Sequence, residues 1–150
     1  MTKYKIYNWF IIHALILLGL VVLTVSYWLL FPYKTVTYNT KQFPVLNKDK
    51  VVKAGDVLLY HGDSCRHRVG EIRLHRALIN HTVIDFPDTI FFQDKVECKR
   101  LKNASITIPS YAPSGVYHLE ITNTMKVNPL REISTKVKTE NFYVIGGDEK

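Results

Sequence analysis

The chain has 150 residues and a formal net charge of +7, from 20 Lys and Arg against 13 Asp and Glu. Its 47% hydrophobic and 12% aromatic content excludes a disordered chain, and its length leaves room for one domain beside a membrane segment. The mild basic excess speaks to partners, such as lipid headgroups or other polyanions, and not to fold.

A short tail, residues 1–8, precedes an apolar run from Trp9 to Phe31 that is interrupted only by His13, Gly19, Thr24 and Ser26. At about 1.5 Å per residue a helix of this length spans roughly 34 Å, enough to cross a hydrocarbon core, and it holds no charged side chain. Tyr4, Tyr7, Trp9 and Phe10 crowd one end and Tyr27, Trp28, Phe31 and Tyr33 the other, as rings with a polar edge do at headgroup level. The stretch reads as an uncleaved transmembrane signal-anchor. A cleaved signal peptide, with small residues at Thr24-Val25-Ser26, is the competing reading, and a buried core helix a third. His13 lies about one turn from the interface, where a neutral imidazole reaches water.

Lys3 and Lys5 precede the span and Lys34, Lys41, Lys48, Lys50 and Lys53 follow it, so counting alone puts the C-terminal side in the cytoplasm. A long domain translocates largely regardless of charge, and Cys65 and Cys98 both lie on that side. An even cysteine pair in a small anchored domain suggests a disulfide in an oxidising compartment, with two free thiols as the alternative. The expected topology is therefore a cytoplasmic N-terminus and an extracytoplasmic C-terminal domain, in the periplasm or at the cell surface.

Residues 32–50, with Pro32, Pro44 and scattered Lys and Asn, read as a stalk with one edge strand near Thr35–Tyr38. The domain proper is placed at 51–145. A Gly55-Asp56 turn leads into a strand at Val57–Tyr60, which His61-Gly62-Asp63-Ser64 breaks. Glu71–Ile79 reads as a strand, although helical spacing also passes through Ile72 to Ile79. Thr82–Phe86 and Thr89–Phe92 follow, separated by Pro87-Asp88. Ser105–Ile108 alternates, Pro109–Gly115 turns, and Tyr117, Leu119 and Ile121 then share one face against His118, Glu120 and Thr122. Asn128–Arg131 is a hairpin turn, Ile133–Thr139 alternates, Phe142–Ile145 closes the domain, and 146–150 is a flexible tail. Seven or so short strands with turn signals and no long amphipathic helix predict an all-β sandwich behind a single N-terminal transmembrane helix.

The stretch from Ile106 to Pro109 and on through Ala112-Pro113-Ser114-Gly115-Val116-Tyr117-His118-Leu119 resembles the E–F corner and F strand of immunoglobulin-like domains. The resemblance implies that Tyr117 hydrogen-bonds back across the corner and that Gly115 and Tyr117 define the fold there. Leu119 stands where antibody domains carry a cysteine, so Cys65 and Cys98 would instead tie the end of strand B to the approach to strand E. The signal-anchor followed by KAGDVLLY, IPSYAPSGVYHLEI and KVNPLREISTKVKTENFYVI resembles small membrane proteins encoded by tailed bacteriophages and prophages. That resemblance implies a bacterial membrane setting and no catalysis.

His61, Cys65 and His67, joined by His75 or His81, carry donor types that suit copper or zinc, but their spacing is not that of a recurrent metal site and a disulfide consumes the thiolate. No metal and no cofactor is expected. Ser64 beside His61 and Asp63 is the nearest approach to a nucleophile with a base, and no phosphate loop or nucleophile elbow occurs. The sequons at Asn80 and Asn103 matter only on a eukaryotic secretory route. Basic residues gather around both cysteines: Arg66 and Arg68 beside Cys65, and Lys95, Lys99, Arg100 and Lys102 around Cys98. A disulfide joining these loops would sum their potential into a contact face for anionic lipid, an acidic envelope polymer or an acidic protein; nucleic acid is not expected. The leading reading is a non-enzymatic, membrane-tethered binding or assembly module. A metal-handling or respiratory-complex assembly factor and a hydrolase are the alternatives.

Overall fold

The computed structural model describes residues 3–146, and their side chains from Asn8 onward except those of Leu101 and Lys102. Of the tail expected at 146–150, residues 147–150 lie outside the described residues, as does the side chain of the patch residue Lys102. The chain divides into two compact units: Met1–Tyr33 with Asn128–Arg131, and Lys34–Val127 with Glu132–Lys150.

The first unit is built on α1 (Lys3–Leu30). Within it, Asn8–Leu30 is 23 residues of mean hydropathy 2.4, long and apolar enough to cross a membrane, with none of it buried in the molecule. Two polar side chains of the apolar stretch turn back on the helix: His13 Nδ1 donates to the Trp9 carbonyl at 2.8 Å and Thr24 Oγ1 to that of Leu20 at 2.9 Å. The helix stops one residue before the expected Phe31, because the ring of Pro32 disfavours helical dihedrals at the residue before it. Its last carbonyls are then capped within the unit. Asn128 Nδ2 donates to Trp28, and Arg131 Nη1 donates to Leu29 and Phe31, at 2.7–2.9 Å.

The second unit is β-sheet. Its strands are β1 (Val36–Tyr38), β2 (Gln42–Phe43), β3 (Val51–Lys53), β4 (Val57–Arg66), β5 (Gly70–Ile79), β6 (Val83–Asp85), β7 (Thr89–Gln93), β8 (Glu97–Thr107), β9 (Gly115–Asn128), β10 (Arg131–Thr139) and β11 (Phe142–Ile145). One sheet runs β1-β4-β8; the other runs β2-β10-β9-β11-β3, with β5 on β9 and β6 and β7 on β5. Leu58 and Ile106 from the first sheet, with Ile108 just past the end of β8, pack against Leu78, Leu119, Ile121 and Phe142 from the second, so the arrangement is sandwich-like. The alternation along β9 does what period-two patterning requires: Tyr117, Leu119 and Ile121 are buried, and the residues between them are not. Glu71–Ile79 is a strand and not a helix, paired along most of its length with β9.

Three sequence readings are corrected. His61–Ser64 does not break β4, which continues to Arg66 through an irregularity between Tyr60 and Gly62. Residues 32–50 are not only stalk and edge strand. β1 is an edge strand on β4, but β2 pairs in parallel with β10, and Phe43 and Val45 enter the core. Cys98 does not lie on the approach to a strand; β8 begins at Glu97 and already holds it.

Candidate functional site

Cys65 on β4 and Cys98 on β8 are directly opposed in register and joined by a disulfide. The bond therefore links neighbours within one sheet. It shares the outer face with His61 and Asp63, whose side chains lie 3.5 Å apart, and with His67, which hydrogen-bonds Thr37. Ser64, one residue on from Asp63, is buried on the opposite face, so the nucleophile, base and acid adjacent in sequence do not converge. His75 is held elsewhere, between Asp85 and Asp88. Among the described residues, no three His, Cys, Asp or Glu side chains gather as a metal site.

The six basic residues around the cysteines are not placed alike. Lys99 pairs with Glu97 at 2.6 Å, and Arg100 with Asp63 at 3.3 Å. The Lys99 ammonium holds the Glu97 carboxyl below the usual carboxylate range. Lys95 is exposed, while Arg68 is half-buried. Arg66 turns inward: its guanidinium donates to Gln93 Oε1 and stacks 5.0 Å from the centre of the Phe91 ring. Gln93 is itself buried, and its amide nitrogen donates to the Lys95 carbonyl, which fixes the acceptor that holds Arg66. A joined basic face is therefore largely neutralised at Lys99 and Arg100, and Arg66 serves a different surface.

That surface is a cavity of about 250 Å³ between the two sheets. Its polar lining is Tyr38, Tyr60, Ser64, Arg66 and Asn123, and its apolar lining includes Phe43, Leu74, Phe91 and Ile121. Seven strands contribute, so no local motif marks it. Tyr38, Arg66, Leu74, Phe91 and Asn123 are half-buried, and they mark the side on which it meets solvent. Asn123 donates to the Tyr38 oxygen. Burial raises the pKa of Tyr38 and, as the main cause, that of Tyr60, so both hydroxyls keep their protons at neutral pH. Phe43 meets Tyr38 edge-on at 5.5 Å and stacks over Tyr60 at 6.2 Å, which gives the cavity an aromatic floor.

The corner expected at Tyr117 is present. Its ring is buried and its hydroxyl donates to the Pro113 carbonyl at 3.1 Å. A Cβ on Gly115 would stand 2.6 Å from Asn80 Nδ2, so that position admits no larger residue without displacing the Asn80 amide. Compared with known families and curated proteins, the chain matches no family model and no curated protein.

Proposed function

We propose that the chain is a single-pass membrane protein with a cytoplasmic N-terminus, whose immunoglobulin-like sandwich stands outside the cytoplasm as a non-enzymatic binding or assembly module. The observation that carries this reading is the apolar stretch Asn8–Leu30, 23 residues without a buried side chain, followed by a β-sheet unit that holds a disulfide. An apolar helix of this length that the molecule itself does not cover suits a lipid surrounding. Disulfides form and persist in oxidising compartments, which favours the extracytoplasmic side for Cys65 and Cys98.

The strand order supports the immunoglobulin-like assignment. The β1-β4-β8 sheet is opposed by β5, β9, β10 and β11, with the chain crossing between sheets after β1 and pairing in parallel at β2–β10 and β3–β11. The Tyr117 corner sits where such a fold uses one. The sequence resemblance to phage- and prophage-encoded membrane proteins supports a bacterial envelope as the setting. A binding role is favoured over hydrolysis because Ser64 faces away from His61 and Asp63 and lines the cavity between the sheets. Protease added to intact spheroplasts is expected to digest the C-terminal domain. Protection until lysis overturns the orientation. Crosslinking in intact membranes, followed by pull-down, identifies the partner.

A further inference from the structure

Among the described residues, Arg66 is the one charged side chain that lines the cavity. A half-buried guanidinium is normally matched by a carboxylate or phosphate, because its charge is costly to remove from water alone. Here its contacts are the neutral amide of Gln93 and the face of Phe91. Among the described residues no carboxylate forms an ion pair with it, and none lines the cavity. Gln93 uses one of the five N–H donors of the guanidinium and positions the rest. Tyr38 accepts from Asn123, which leaves its own O–H to donate. Ser64 and Tyr60 add hydroxyls to the lining, and the rest of the walls are aromatic and aliphatic. The volume, about 250 Å³, lies just under the usual range of small-molecule pockets.

We propose that this cavity binds a small apolar monocarboxylate, with its hydrocarbon body among Phe43, Phe91 and Ile121 and its carboxylate on Arg66 and Tyr38. The donors and walls suit this ligand together. An uncharged apolar molecule leaves the guanidinium unmatched, and among the described residues no second cation lines the cavity for a polyanion. The site gives the binding module a ligand class and rests on that reading of the domain, but not on its topology. Spheroplast protection would overturn the orientation and leave the site standing; a failed titration would remove the site and leave the anchor standing.

The test uses the full chain in lipid nanodiscs, with methyl-labelled Ile and Leu observed by NMR. Octanoate represents a lipid-derived ligand and 3-phenylpropionate a soluble aryl acid; the tighter of the two identifies the source. Saturable shifts of the Ile121 and Leu74 methyls are expected, with dissociation constants in the high-micromolar to millimolar range for ligands this small. The corresponding neutral amide should bind at least tenfold more weakly to the unaltered chain, and Arg66→Gln should weaken carboxylate binding at least tenfold. Absence of saturation with both acids overturns the proposal. Equal affinity of acid and amide for the unaltered chain does so as well, whether or not the variant folds.

Discussion

The Tyr117 hydroxyl reaches back four residues to the Pro113 carbonyl, at 3.1 Å, from a ring that is 1% exposed. Removing it leaves that acceptor without its partner while barely changing the volume of the ring. Tyr117→Phe should therefore destabilise the sandwich by about 1 kcal/mol, the usual net value of one such bond. The urea midpoint of the full chain, followed by circular dichroism, should fall accordingly. An unchanged midpoint would show that the corner bond contributes nothing.

Cys65 and Cys98 close a loop with a sequence separation of 33. Restricting the unfolded chain by a loop of that size stabilises the fold by about 3–4 kcal/mol in the chain-entropy account. Thiol counting on denatured, unreduced protein should find no free thiol. Replacing both cysteines with Ser should lower stability by an amount of that order, measured against the same unfolding curve.

Gly62 sits in β4 directly beneath Phe43: a Cβ there would lie 2.7 Å from two atoms of the Phe43 ring. Gly62→Ala should cost about 1–3 kcal/mol, as overpacking of a closed core does. The cost should shrink when Phe43→Leu is present, because the smaller side chain makes room. Equal costs in both backgrounds would mean that the ring is not what excludes a side chain at Gly62.

Gly62 also shows where the sequence stopped being legible. His61-Gly62-Asp63-Ser64 has the composition of a turn, and only the distant Phe43 ring explains a glycine inside a continuous strand. Phe43 itself is an aromatic that follows a polar run, Asn39 to Gln42, and precedes a proline. Its burial depends on β10, some ninety positions away, which no local period reports. The first half of β8 was hidden for a related reason: Glu97, Lys99 and Arg100 are ion-paired surface residues without an apolar face. By contrast, the anchor, the alternation of β9 and the Tyr117 corner were legible because each is written within one short stretch. The cavity draws one to three residues from each of seven strands, and Arg66 could be read only as one charge in a cluster.

Glu140 clamps the segment after β2. Its Oε2 accepts from Lys50 Nζ at 3.0 Å and from the Val45 amide at 3.4 Å, and these contacts lower its carboxyl pKa, Lys50 most of all. The unfolded chain, with a carboxyl near the ordinary value of about 4.3, takes up this proton at a higher pH than the folded chain does. The contribution to stability is thus fully present above about pH 4.3 and is lost as the pH falls through the folded value. Glu140→Gln should be less stable than the unaltered chain near neutrality, and the two should converge in acid. Because both side chains are well exposed, the difference should be small and should shrink further in high salt. A constant offset between the two pH profiles would show that ionisation of Glu140 is not the cause.

Charge placed at the middle of Asn8–Leu30 should keep the helix out of a bilayer, but only in sufficient amount. The stretch holds 14 Leu, Ile, Val and Phe residues. At about −0.3 to −0.6 kcal/mol each at the centre of a span, they favour insertion by roughly 4–8 kcal/mol. One central Arg opposes this by about 2.5–3.5 kcal/mol. Leu18→Arg alone should therefore still yield an integral membrane protein. Leu18→Arg with Val22→Arg, on one face and costing about 5–7 kcal/mol together, should leave most of the chain extractable by alkaline carbonate. Intact mass of the unaltered, membrane-bound protein completes the test: a chain that retains Trp9–Phe31 is anchored by it, whereas a product beginning after Thr24-Val25-Ser26 has lost it. Carbonate-resistant association of the doubly substituted protein would mean that something other than this helix holds the chain to the membrane.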